Sequence, residues 1–209
     1  MLKLLAIGDS HIPRRTKEIP SHIYDKLETL TEKNLFEYTF FTGDVINAPK
    51  FLDFLNLKTK RDLFIVLGNM DYYGGNRNAP IYQKLEIPIK ENDSLAIGLT
   101  HGTQISPRGD HTQLELLASE RNYHVLISGH THHEEVFLSE NGTLLLNPGS
   151  VTGAWSFVAS GNPSFLTLTL EESNSNIDID LYVLNKKNNR FEERSFYLLY
   201  KNNTIHNRY

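Results

Sequence analysis

Apolar residues arrive along this chain in short blocks, and in the first two-thirds the strand-like blocks run into a glycine beside a polar residue. Leu2 to Ile7 reads as a buried strand that ends in Gly8-Asp9-Ser10-His11. Ser21 stands where it can cap a helix reaching to about Lys33, with Tyr24, Leu27 and Leu30 on one face. Tyr38 to Phe41 is the next strand and ends in Thr42-Gly43-Asp44. A short helix over Lys50 to Leu57 precedes the strand Leu63 to Leu67, which closes in the turn Gly68-Asn69-Met70-Asp71. Tyr72 to Pro80 has the glycines and polar residues of a loop. Leu95 to Leu99 predicts a strand closed by Thr100-His101-Gly102. Asp110 and Gln113 stand at capping-box spacing before a helix carrying Leu114, Leu117 and Ala118. Val125-Leu126-Ile127 then leads into Ser128-Gly129-His130-Thr131-His132-His133.

The remaining third changes character. Val136 to Leu138 and Leu144 to Leu146 flank Asn141-Gly142, a hairpin signal. Phe165 to Leu170 is a further strand. Ile177, Ile179, Leu181 and Val183 alternate with Asp178, Asp180 and Tyr182, as in a half-buried strand. Lys186 to Asn189 turns that strand back into Ser195 to Tyr200. Strands alternating with helices give way to hairpins with no linker between them, so the expectation is one α/β domain over residues 1–200. The polar residues 201–209 are expected to fray.

Composition narrows the chemistry. A net charge of −4 provides no general field for nucleic acid or an anionic membrane, so neither is expected as a partner. The Arg14-Arg15 pair reads as a solvated loop. No apolar run approaches the ~20 residues that cross a bilayer, and the first strand is too short for a signal segment. Cysteine is absent, which excludes disulfides and thiolate metal sites and fits a cytoplasmic location. Any metal must sit on oxygen and imidazole.

The strand ends supply such donors. Gly8-Asp9 with His11, Gly43-Asp44, Gly68-Asn69, His101-Gly102, and Gly129-His130 with His132 each follow an apolar strand. Carboxyl ends of strands in α/β sheets converge on one crevice, so these loops should meet. His130 and His132, spaced i, i+2, point the same way if the backbone is extended, and Gly129 lets the chain turn sharply before them. Each feature alone has a bland reading, since Gly-Asp is a common turn and Asn69 could close an Asx-turn. Two Asp, one Asn and four His exceed what one tetrahedral ion needs, which points to two adjacent metals sharing a carboxylate. Mixed imidazole and carboxylate donors suit Mn²⁺ or Zn²⁺ first, with Ni²⁺, Co²⁺ or Fe as alternatives, and argue against Ca²⁺ or Mg²⁺ alone. Such a pair acidifies a shared water and clamps phosphoryl oxygens, the chemistry of phosphoester hydrolysis.

Taken in order, these motifs resemble those of the calcineurin-like metallophosphoesterases. The resemblance implies a four-layer αββα sandwich of two mixed sheets flanked by helices. It implies that Asp9, His11, Asp44 and His132 hold one metal, and that Asn69, His101 and His130 hold a second with Asp44 bridging. It further implies a phosphodiester or activated monoester attacked by a metal-bridging hydroxide, with Asn69 and His101 stabilising charge and Asp71 orienting a ligand or water. Gly8 to Arg15, His101 to Asp110, and Ile127 to Phe165 with Asn147-Pro148-Gly149-Ser150-Val151-Thr152-Gly153-Ala154 are similar to the small retromer subunit of this fold. They are also similar, a little less closely, to the small prokaryotic phosphodiesterases.

That second likeness carries an alternative function: a non-catalytic scaffold in a retromer-like trafficking coat, peripheral to membranes through a large helical-solenoid partner. Asp44 and Asn69 match the active enzymes, whereas the retromer subunit commonly carries Asn and Asp there. Met70 stands where many superfamily members have a histidine that assists the leaving group, and a thioether cannot donate a proton. The loop Ile105-Ser106-Pro107-Arg108 is more polar than the retromer docking loop, though Ile105 and Pro107 remain. His22, His111, His124 and His206 read as surface residues, and His133 as a loop histidine or an outer neighbour of the metal ligands. Trp155 and Phe157 form either a partner patch or a cover over the hairpins, and Arg77 is a candidate phosphate contact.

Overall fold

Successive residues of the first strand enter two different cores. In the computed structural model, which describes residues 1–90, 93–171 and 173–208, Leu4 and Ala6 of β1 (Leu2–Ile7) pack between two sheets. Leu5 and Ile7 pack instead against helices. A strand covered on both faces needs apolar side chains at consecutive positions, which is why this run does not alternate. The same division holds for β2 (Phe36–Phe41), with Tyr38 and Phe40 between the sheets and Phe36 and Phe41 under the helices.

The first sheet has seven strands. Parallel β1, β2 and β3 (Thr59–Ile65) form one side. On the other side β9 (Ser164–Glu171) pairs antiparallel with β1, followed by β10 (Asn176–Asn185), β11 (Arg190–Lys201) and β12 (Thr204–Asn207). The second sheet has five strands in the order β4 (Tyr82–Lys90), β5 (Asp93–Thr100), β6 (Val125–Ile127), β8 (Leu144–Pro148) and β7 (Glu134–Leu138). Within it β5, β6 and β8 are parallel. Helices α1 (Ser21–Thr31) and α2 (Pro49–Leu57) cover the outer face of the first sheet. Helix α4 (His111–Glu120) covers that of the second through Leu114, Leu117 and Ala118 on Leu126 and Leu145. Three apolar clusters thus separate four layers, the expected αββα sandwich. Among the described residues no helix is long and apolar enough to cross a membrane.

Local chemistry corrects several expectations. Ser21 is the first residue of α1 and makes no capping bond, the preceding position being Pro20; the buried face is Ile23, Leu27 and Thr31. Asp110 caps α4 by accepting from Gln113 N, but the Gln113 side chain turns away and bonds both backbone groups of Ser106. The turn at Asn69 is a short helix, α3 (Asn69–Tyr73). Strand β4 escaped the sequence reading because Pro88 interrupts it. The strand lies at a sheet edge, where a missing N–H is harmless, and Ile87 and Ile89 face the core. Residues 201–209 were expected to fray, yet Asn202 and Asn203 at φ 54° and 60° make a two-residue turn into β12, which buries Ile205.

Candidate metal centre

The carboxyl ends of β1, β2 and β3 face those of β5 and β6, so loops from both sheets meet at one rim. Main-chain bonds lash these loops together: Asp9 N donates to Gly43 O at 3.0 Å, His11 N to Asp44 O at 3.0 Å, and Gly129 N to His101 O at 3.1 Å. Five of the seven expected ligand residues have left-handed backbone, with φ of 51° at Asp9, 50° at His11, 54° at Asp44, 69° at His130 and 59° at His132. Each such residue costs about 1–2 kcal/mol relative to ordinary backbone, a strain of the kind that concentrates at functional sites. Ile46, a β-branched residue at φ 61°, belongs to the same loop system. The expectation of extended backbone through His130 and His132 is therefore wrong; kinked backbone brings both rings to the centre. Two glycines are required here by proximity. A Cβ on Gly68 would overlap Asp44 Oδ1, and one on Gly129 would overlap Asp9 Oδ2.

Two donor groups share Asp44. In the first, ligand atoms of Asp9, His11, Asp44 and His132 all lie within 4.8 Å of one another. His132 Nε2 is 3.2 Å from Asp9 Oδ1, and His11 Nε2 is 3.2 Å from Asp44 Oδ2. In the second, His101 Nε2 lies 3.6 Å from the same Asp44 Oδ2, 3.1 Å from Asn69 Oδ1 and 3.2 Å from His130 Nδ1. All seven residues are brought together.

The donors fit cations. Each carboxylate commits one oxygen to the protein: Asp9 Oδ2 accepts from Thr42 Oγ1 and His130 N, and Asp44 Oδ1 from Met70 N. Asp9 Oδ1 is buried without a hydrogen-bond partner. His101 Nδ1 lies 2.7 Å from Thr42 O and His132 Nδ1 2.9 Å from Ala154 O, so those nitrogens carry the proton and Nε2 presents a lone pair inward. Lone pairs of His132 and His101 thus converge with Asn69 Oδ1 and the two carboxylates, where a positive charge relieves their repulsion.

Ionisation follows the same arrangement. Burial works to raise the Asp9 carboxyl, but when the facing rings hold protons in place of a cation, the charge on His132 and hydrogen bonds from His11 and His132 hold it well below the usual range. Burial raises Asp44. Burial, and then the neighbouring His101 and Arg108, lowers His130 to about 3, leaving its ring neutral. With no cation bound, a proton competes for the inward His132 Nε2: burial opposes it, yet the Asp9 charge and hydrogen bond raise that ring overall.

Asp71 is buried, but its carboxylate turns to the backbone, accepting from Ile46 N at 2.7 Å and Gly68 N at 3.1 Å. Sequence reasoning missed the part played by residues 147–154. Asn147 Nδ2 donates to Gly129 O and Thr131 Oγ1, Ser150 Oγ to Asp9 O, and Thr152 Oγ1 to Ser10 O. The signal available was the Asn-Pro-Gly-Ser turn following a buried strand. Arg77 lies over the Tyr72 ring instead of the ligands, His133 is exposed, and His124 is half-buried and accepts from Ala96 N. Trp155 and Phe157 are 64% and 83% exposed beside Ala154 and pack edge-on against each other.

Known proteins share this architecture. The profile of the calcineurin-like phosphoesterase superfamily domain matches residues 2–173. A probable metallophosphoesterase of Methanocaldococcus jannaschii is 38% identical over 147 residues, covering 70% of this chain and 66% of that protein. The chain thus spans just under two thirds of that relative's length. Vacuolar protein sorting 29 from Cryptosporidium parvum superposes with a TM-score of 0.79 at 29% identity, over 95% of this chain and 98% of that one. The Entamoeba histolytica protein of the same name, crystallised with zinc, gives 0.74 at 27% identity over 93% and 99%.

Proposed function

The chain belongs to the calcineurin-like phosphoesterase superfamily, and from that premise we propose that it hydrolyses phosphodiesters or activated phosphate monoesters with two divalent transition metals. Asp9, His11, Asp44 and His132 would hold one cation and Asp44, Asn69, His101 and His130 the other, with Mn²⁺ or Zn²⁺ the best match to the donors. The observation that carries the reading is Asp44 Oδ2, which lies 3.2 Å from one histidine group and 3.6 Å from the other, where a shared ligand belongs. Cations held there would lower the pKa of a water and offset charge on the phosphoryl oxygens.

The protein's own groups do the rest. Asn69 and His101, which line the cleft beside the second group, would orient the phosphoryl oxygens. Asp71 is a positioning residue, acting through the Ile46 and Gly68 amides on the loops that carry Asp44 and Asn69. Met70 supplies no proton, so substrates whose leaving group departs as a stable anion are favoured. Arg15 and Arg108 place positive charge at His132 and His130, drawing an anion to the rim of a protein that is negative overall.

One observation favours the scaffold alternative. Trp155, Phe157 and Val158 stand exposed beside the His132 loop, where a retromer-like solenoid partner could cover them. The docking loop argues against it: Ile105 is buried against α4 and is not on the surface. The deciding experiment is hydrolysis of bis-p-nitrophenyl phosphate by metal-stripped protein with Mn²⁺, Zn²⁺, Ni²⁺ or Co²⁺ restored. Turnover that requires metal and disappears in Asp44→Ala and His101→Ala supports the enzyme. Equal silence of wild type and both variants with every metal rejects it.

A further inference from the structure

An apolar cleft of about 280 Å³ opens directly beside Asn69 and His101. One wall comes from α3, whose first residue is Asn69 and whose Tyr72 and Tyr73 follow at i+3 and i+4, on the same side of the helix as the ligand amide. Ile81 and Gln104 also line the cleft. Apart from His101, the lining contains no charged or ionisable group other than the two tyrosines. Three of its large residues are unusually open, with Tyr72 45%, Tyr73 73% and Ile81 55% exposed, as surfaces that a ligand covers. The Gln104 amide donates to Thr100 Oγ1 and keeps its carbonyl and one N–H free.

We propose that this cleft seats a planar, nucleobase-sized ring carried by the phosphodiester, so that the substrate is a nucleotide-type ester. This rests on the phosphoesterase reading and names its substrate class. A cleft below the usual ligand-pocket range of ~300–1,000 Å³ has room for one ring system, not for a polymer strand. Its uncharged, aromatic lining suits a base stacked on tyrosine, whereas a polyol or a second phosphate would lose water there without gaining partners. The phosphate end then meets Asn69 and His101, and the Gln104 amide can pair with a polar edge of the ring.

The test is calorimetric titration of the Mn²⁺-loaded protein with AMP and with ribose 5-phosphate, which differ only by the base. AMP is expected to bind about tenfold more tightly, the scale of one stacked base. Tyr73→Ala and Ile81→Ser, both at exposed positions, should remove that advantage while leaving ribose 5-phosphate unchanged, and Tyr73→Phe should retain it. Equal affinities, weakening of both ligands alike, or no binding of either would overturn the proposal. Base-dependent binding without hydrolysis of bis-p-nitrophenyl phosphate would uphold the cleft and sink the enzyme. Hydrolysis with equal affinities would do the reverse.

Discussion

Replacing Asp71 by alanine separates positioning from chemistry. The side chain is 3% exposed and its two oxygens take the Ile46 and Gly68 amides at 2.7 and 3.1 Å. Losing hydrogen bonds to a charged acceptor costs about 1.5–3 kcal/mol each. Freedom for Ile46 to leave φ 61° offsets about 1–2 kcal/mol of that. The net expected loss is about 1–5 kcal/mol, or a fall in the melting temperature of roughly 2–20 °C for a chain of this size. Asp44 and Asn69 sit on the two released loops, so metal affinity should fall about 10- to 100-fold, as when an outer partner of a ligand is removed. Thermal unfolding of the metal-stripped protein measures the first quantity and competition with a chelating dye the second. Asp71→Asn, which keeps one acceptor oxygen, should lie between the two proteins in both. Unchanged melting and affinity in Asp71→Ala would refute the assignment. Normal affinity with abolished turnover would instead make Asp71 a catalytic group.

Further outcomes follow from other contacts. Gly68→Ala drives a methyl group into Asp44, and should abolish metal binding and cost several times the ~1 kcal/mol of an ordinary helix-cap change, read by denaturant unfolding and metal titration. Metal at about 100 times its dissociation constant should raise unfolding free energy by about 2.7 kcal/mol in wild type and by far less in Asp44→Ala, whose shared ligand is gone. His124 is held below its ordinary 6.5 chiefly by burial, and its neutral ring accepts from Ala96 N. Its contribution is therefore complete above pH 6.5 and declines as pH falls below that value, with a slope of at most about 1.4 kcal/mol per unit. Unfolding curves of wild type and His124→Gln should converge on acidification from pH 7.5 to 5.5; parallel curves would remove His124 from the account.

The candidate site could be read from sequence because each ligand follows a strand end within a few residues, so local pattern and spatial position coincide. The layers were legible for the same reason, since doubly buried β1 is nearly all apolar while β10 alternates. What escaped acts at a distance or through the backbone. Nothing near Asn147, Ser150 or Thr152 states that their side chains will hold carbonyls of residues 129, 9 and 10. His124 looks like a surface histidine until β5 is laid beside it. The burial of Ile105 depends on α4 and is not written in its own loop, and the Asn202-Asn203 turn lacks the glycine that would have announced β12.

The order of strands has a consequence for assembly. Every donor lies before residue 133, and the five-stranded sheet is built from one continuous stretch, 82–148. The seven-stranded sheet is not: β1 finds its second neighbour in β9, with Leu2 opposite Leu170. Such remote pairing is slow, because a long loop must close before the contact stabilises anything. A chain released before residue 164 would carry all seven ligands, yet β1 would present an unpaired apolar edge open to other chains. During synthesis the metal ligands are therefore complete well before the strand that bears Asp9 is secured, and that interval is when this protein is most exposed to misassembly.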